Sequence, residues 1–185
     1  KNAENFMSNS LVANTLRVDG WNLENLENAK YMFGSPYYPI SLTNISATGL
    51  KMPKLTSTDH MFCNINANSL NISNMSIPNV TDTSYMFSNQ YVSDSYVMDE
   101  LKLIGLDTIN FDNVEATDSM FLSNPYIAKI DFGNNTFPKL KTATKMFSMC
   151  QNLKKLNMTV TSTDVDATDA FLNANENLPE NQKPF

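Results

Sequence analysis

The sequence has little of the material that builds a disulfide scaffold, a metal centre or a membrane span. Its 185 residues include two cysteines, Cys63 and Cys150, and one histidine, His60. Two cysteines exclude a disulfide-built scaffold and a four-cysteine zinc site, so we expect no metal and no cofactor. No stretch approaches 18 consecutive apolar residues, and we therefore expect no transmembrane segment in this chain.

Positive charge is also scarce. Thirteen Lys and Arg face nineteen Asp and Glu, for a net charge of -6. Binding to a phosphate backbone depends on clustered Lys and Arg, so we expect no nucleic-acid partner. The basic residues that do cluster, Lys139, Lys141, Lys145, Lys154 and Lys155, are typical of a solvated face, with an anionic polysaccharide patch as the alternative.

The beginning of the chain, Lys1-Asn2-Ala3-Glu4-Asn5, lacks both an initiator Met and the charged-then-apolar layout of a signal peptide. We expect the chain to be a segment of a longer protein, with any export signal or anchor outside it. Its 42% hydrophobic and 17% charged residues favour one folded unit.

What the sequence does contain is a repeat built on a Met-Phe pair. Successive phenylalanines are 24 to 29 residues apart with one interval of 34, which indicates an insertion in a repeat of leucine-rich length. The pairs are Met32-Phe33, Met61-Phe62, Met86-Phe87, Met120-Phe121 and Met146-Phe147, followed by the variant Ala170-Phe171 and preceded by Phe6.

A second pattern, of Leu-x-x-Leu-x-Leu character, lies upstream of each Met-Phe pair at a nearly constant distance. Two further apolar positions recur between this pattern and the pair. Alternation at the end of the pattern predicts a short strand with one face inward, and equivalent strands of successive coils form a parallel ladder. The pattern is read as Ala13-Leu16-Val18, Leu42-Ile45-Ala47, Ala67-Leu70-Ile72, Leu101-Ile104-Leu106, Ile127-Ile130-Phe132 and Leu153-Leu156-Met158.

These two motifs predict an α/β-type, leucine-rich-repeat-like solenoid over residues 1–172. It would stack about six coils, with a parallel β-ladder on one face and short turns or single-turn helices opposite. Residues 173–185 would be a C-terminal tail or the start of a degenerate coil. The predicted coils end near Phe6, Phe33, Phe62, Phe87, Phe121, Phe147 and Phe171.

The repeats resemble those of the BspA-like leucine-rich-repeat bacterial surface proteins, in which a Val-Thr-Asp segment precedes Met-Phe and a cysteine follows it. The most similar copy is Val80 to Phe87, and Cys150 stands at the cysteine position after Met146-Phe147. The family resemblance implies a secreted or cell-surface location and adhesion to a host or extracellular-matrix protein or glycan. It implies no catalytic residues, and the alternative is a structural spacer or stalk within a larger surface protein.

Two patterns could carry other chemistry. His60 follows Asp59, but the repeats supply neither a nucleophile elbow nor an oxyanion loop, so we expect no enzyme activity. Asp164, Asp166 and Asp169 have a spacing similar to that of calcium ligands, although the glycine required at the sixth position of the loop is absent. A solvated acidic turn is the expectation there.

The candidate binding residues are tyrosines in the segments that follow Met-Phe. Equivalent segments of a solenoid line up along one edge, and tyrosine is frequent among energetic anchors of interfaces. We predict a binding edge there, with the alternative that the rings only cover the core. The predicted residues are Tyr37, Tyr38, Tyr91, Tyr96 and Tyr126.

Overall fold

A computed structural model describes residues 1–7, 14–90 and 100–185 of the chain. Its regular structure consists of very short strands and two one-turn 3₁₀ helices, Leu106–Thr108 and Glu180–Gln182. The strands are β1 (Thr15–Arg17), β2 (Ile40–Ser41), β3 (Asn44–Ser46), β4 (Ile65–Asn66), β5 (Ser69–Asn71), β6 (Lys102–Ile104), β7 (Lys129–Asp131) and β8 (Lys155–Asn157).

The strands form parallel ladders along one face of a β-solenoid. β1, β3, β5 and β6 make one sheet in that order, β7 pairs with β8, and β2 pairs with β4 beside the first sheet. The predicted solenoid and its parallel ladder are therefore confirmed. The predicted six coils and α/β class are not, because the molecule makes about five turns and has almost no helix.

The side opposite the strands turns through hydrogen-bonded β-turns instead of helices. The N–H of Met61 donates to the carbonyl of Thr58 at 3.0 Å, and His60 between them has a φ of 56°. A positive φ at the third turn position is the geometry of a type II turn and ends any helical run. The equivalent residues before each Met, or before Ala170, have φ between 54° and 58°: Tyr31, His60, Tyr85, Ser119, Lys145 and Asp169.

The core is a column of stacked phenylalanine rings. Ring centroids from Phe33 through Phe62, Phe87, Phe121 and Phe147 to Phe171 are 5.1 to 5.8 Å apart, with interplanar angles of 11° to 22°. Each Phe N–H donates to the carbonyl that precedes the next Phe, for example Phe62 to Met86 at 2.9 Å. The Met-Phe pair thus supplies both the packing and the axial hydrogen bond of each coil.

The coil that contains the insertion differs from the predicted register by one residue. Leu103, not Ile104, pairs with the inward Leu70, and Ile104 is 45% exposed. A one-residue shift sends every side chain of a strand to the opposite face. Gly105 absorbs the shift with a φ of 89°, and a Cβ there would lie 2.3 Å from Ser73, so no other residue fits.

The two ends of the described solenoid are covered differently. At the C-terminal end Leu178 is buried, and Gln182 Oε1 accepts a hydrogen bond from the Leu156 N–H at 2.8 Å, so residues 173–185 pack over the last coil. At the other end Phe6 is 53% exposed and makes an edge contact with Trp21. Phe6 therefore lies outside the phenylalanine column.

Candidate recognition surfaces

The loop after the first Met-Phe pair presents two adjacent tyrosines to solvent. Tyr37 is 72% exposed and Tyr38 is 76% exposed. Both backbone N–H groups lie over Ser35 Oγ, at 3.4 and 3.2 Å, and Ser35 itself is buried. The Ser35 carbonyl accepts a 2.7 Å hydrogen bond from the amide of Asn64 in the next coil. The loop is therefore anchored below while both rings remain available to a partner.

Tyr126 has a different environment, although it also follows a Met-Phe pair. It is half-buried, packs against the core, and lines a surface cleft of about 400 Å³ together with Gln90, Met149 and Gln151. Its coil is three steps from that of Tyr37 and Tyr38, or roughly 14 Å along the axis. Tyr91 and Tyr96 lie outside the described residues. Tyr37 and Tyr38 are thus exposed on one loop, whereas Tyr126 lines a separate cleft, and the binding edge stays a prediction.

The cleft beside Tyr126 also borders a buried polar group. Asn89 is 3% exposed, and its Oδ1 has no hydrogen-bond partner in the described parts of the chain, while its Nδ2 lies 3.4 Å from Asn66 Oδ1. An unpaired buried acceptor is destabilising and is a feature that bound groups often relieve. Because Asn89 Oδ1 is shielded from solvent, it forms part of the cleft wall and offers no accessible acceptor to a ligand.

The turns carry an aromatic stack that the sequence pattern did not suggest. His60 lies between Tyr31 and Tyr85, with ring centroids at 4.8 and 4.5 Å, and its side chain is only 18% exposed. Its Nδ1 pairs with the carboxylate of Asp59, which also receives Lys30 Nζ at 2.7 Å. Since both faces of the His60 ring are covered, this group stabilises the turns and has no open face for a ligand.

The Asp59 carboxylate is the charged centre of that group. Burial raises its pKa, but the hydrogen bonds from His60 and Lys30 outweigh burial, and the net pKa is below the ordinary value. The Asp59 carboxylate therefore stays ionised near neutral pH and ties two successive coils together through Lys30.

On the strand face, carboxylates make similar ties between coils. Asp131 accepts hydrogen bonds from Lys129 Nζ, from the Asn157 amide of the next strand and from the Gly133 N–H, and these lower its pKa to about 2. Asp19 accepts from Ser46 Oγ at 2.6 Å, one coil further on, and its pKa is also lowered. These groups act as structural links between coils.

The basic run of the last coils is divided between faces. Lys139 Nζ donates to Asn113 and Lys141 Nζ pairs with Glu115, both on the preceding coil. Lys155 instead opens β8 on the strand face, in register with Lys129 of β7. The lysines of this run therefore do not share one face, and the register of Lys155 with Lys129 across β7 and β8 is a feature that the sequence spacing did not indicate.

The acidic turn predicted near the C-terminus lies on the surface. Asp164, Asp166 and Asp169 are all exposed, and Asp166 accepts hydrogen bonds from the N–H and Oγ1 of Thr168. Within residues 1–7, 14–90 and 100–185, no group of three or more His, Cys, Asp or Glu side chains is arranged to hold a metal ion. In the same ranges no helix has the length and apolar character needed to cross a membrane.

Comparisons with known proteins returned no match: no family model, no curated protein and no solved structure is significantly similar to this chain.

Proposed function

We propose that this chain is a non-catalytic recognition module of an extracellular or cell-surface protein, binding a host or extracellular-matrix protein or glycan. The observation that carries the proposal is the anchored loop with Tyr37 and Tyr38, whose rings are 72% and 76% exposed. Large aromatic side chains are seldom left in water next to one another without a binding role. The location rests on the resemblance of the Met-Phe repeats to BspA-like surface proteins, and so does the assignment of the coils to the leucine-rich-repeat type.

The geometry of the loop supports a docking role over a covering role. A tyrosine that covers the core should be largely buried, as Tyr126 is, and its loss should destabilise the fold. Tyr37 and Tyr38 contribute little buried area, so the fold gains little from them. Because the hydrogen bonds to Ser35 already order the loop, binding a partner would cost little conformational entropy.

The test is solid-phase binding of the purified chain to a panel of immobilised matrix proteins and glycans. Tyr37→Ser with Tyr38→Ser should abolish any binding that the unchanged chain shows, at an unchanged melting temperature. The matched control is Phe6→Ser, which removes another exposed aromatic ring at the end of the solenoid. Binding that survives the tyrosine changes would contradict the proposal, and a chain that binds nothing on the panel would favour the structural spacer.

A further inference from the structure

A row of lysines runs along the strand face, parallel to the solenoid axis. Lys102, Lys129 and Lys155 are the first residues of β6, β7 and β8, and all three are exposed. Lys129 lies directly opposite Lys155 in the β7–β8 ladder. Lys102 and Lys129 line a cleft of about 370 Å³ between β6 and β7. We call these three residues the lysine row.

The fold itself accounts for Lys129, through its pair with Asp131, but not for Lys102 and Lys155. Like charges directly opposite each other on neighbouring strands are destabilising. In the first half of the solenoid the same strand position holds neutral partners, and Ser69 Oγ donates to Asn44 Oδ1 at 2.7 Å. Only Lys129 in the row has an acidic partner, Asp131; in the described parts of the chain neither Lys102 Nζ nor Lys155 Nζ has a hydrogen bond or ion pair.

Protection of exposed sheet edges is the other known use of such lysines. It does not explain this row. β6 and β7 end their sheets on the two sides of one cleft, which is too narrow a gap to be an edge open to another molecule. The outer edge of β8 is partly covered by the C-terminal segment, where Gln182 Oε1 accepts a hydrogen bond from the Leu156 N–H. Moreover, side chains at this position point outward from the sheet face, as the inward Ile130 and Leu156 between the outer positions show.

We propose that the lysine row binds a sulfated linear polysaccharide that lies along the solenoid axis. Successive sugar units would present their anionic groups to successive coils, because coils repeat at about 4.8 Å along the ladder. The carboxylates of Glu100 and Asp107 in the same cleft would accept hydrogen bonds from sugar hydroxyls. Beyond the row, Ser69 and Asn44 occupy the same strand position on β5 and β3. Their neutral polar side chains would form hydrogen bonds with sugar hydroxyls. The proposal concerns a different face from the Tyr37–Tyr38 loop and does not depend on it.

The experiment measures binding of the full chain to a heparin octasaccharide by calorimetry at 50 mM and 300 mM salt. We expect binding at low salt that weakens at high salt, and no binding of the chemically desulfated octasaccharide. Changing Lys102, Lys129 and Lys155 together to Gln should weaken binding by about fivefold per lysine, hence on the order of a hundredfold. The matched control, Lys139→Gln with Lys141→Gln, changes exposed lysines outside the strands and should have little effect.

A second triple variant, with Glu at the three positions, separates ligand binding from edge protection. Glu keeps each strand charged, so a purely protective role predicts that the Glu variant behaves normally and that the Gln variant self-associates in sedimentation. The proposal instead predicts that both variants lose octasaccharide binding and stay monomeric. Equal binding of the desulfated sugar, unchanged binding by the variants, or stronger binding of a DNA oligonucleotide of equal charge would overturn it.

Discussion

The phenylalanine column makes a quantitative prediction about where the solenoid is most sensitive. Phe121 is fully buried and stacks on both sides, with Phe87 at 5.2 Å and Phe147 at 5.8 Å. Truncation of a buried phenylalanine typically costs about 3 to 5 kcal/mol, and the two stacked contacts place Phe121→Ala near the upper end. Phe171 is only half-buried and has one parallel neighbour, so Phe171→Ala should cost about 2 kcal/mol.

The free energies of unfolding come from urea melts followed by circular dichroism. A domain of this size has roughly 5 to 15 kcal/mol of stability, so Phe121→Ala removes a large share of it and can unfold the chain. The milder variants Phe121→Leu and Phe171→Leu test the same ranking at about a third of the loss in unfolding free energy. Hydrogen exchange should show protection lost chiefly in the coils of Phe87 and Phe147. A larger loss from Phe171 than from Phe121, or uniform loss of protection, would refute the one-dimensional stacking argument.

Two further predictions concern thiols and acid. Burial raises the pKa of both Cys63 and Cys150 to about 12, so neither thiol should react with a disulfide reagent at pH 8 until urea unfolds the chain; rapid reaction of the folded protein would contradict the packing. The Asp131 pKa lies at about 2 when folded, against 3.8 otherwise, so its contribution to stability is present above about pH 4 and is lost as the pH falls toward 2. Asp131→Asn should reduce the acid sensitivity of the melts in that window, and identical pH profiles would argue against the link to Lys129.

The solenoid could be predicted because two independent signals agreed. The inward positions of five strands follow directly from the Leu-x-x-Leu-x-Leu register, and the buried phenylalanines follow from Met-Phe. The one error of strand register, at β6, comes right after the insertion, where the distance to Met-Phe no longer constrains the strand. There the apolar residues Leu103 and Ile104 are adjacent, so hydrophobicity alone allows either to point inward, and the fit of Gly105 against Ser73 decides.

The candidate sites were less predictable because they depend on the solvent exposure of individual side chains, which the sequence does not reveal. Tyr38 and Tyr126 occupy similar places after Met-Phe, yet one is 76% exposed and the other packs against the core. Opposite the strands, where the sequence predicts either short turns or single-turn helices, the chain forms β-turns, since a left-handed residue such as Lys145 recurs before each Met. Asparagine would have indicated this conformation, but Tyr31, Tyr85 and Lys145 carry no such signal.

Only some of the residues in each coil of this solenoid are buried in its core. The inward strand position and the Met-Phe turn are buried from coil to coil, whereas the outward strand positions are mostly exposed or half-buried. Because residues at one such position form a row along the solenoid axis, an extended ligand matches the row best. A small molecule would contact one coil or two, whereas a linear polymer contacts every coil it crosses, and each lysine of the row adds to the same binding event.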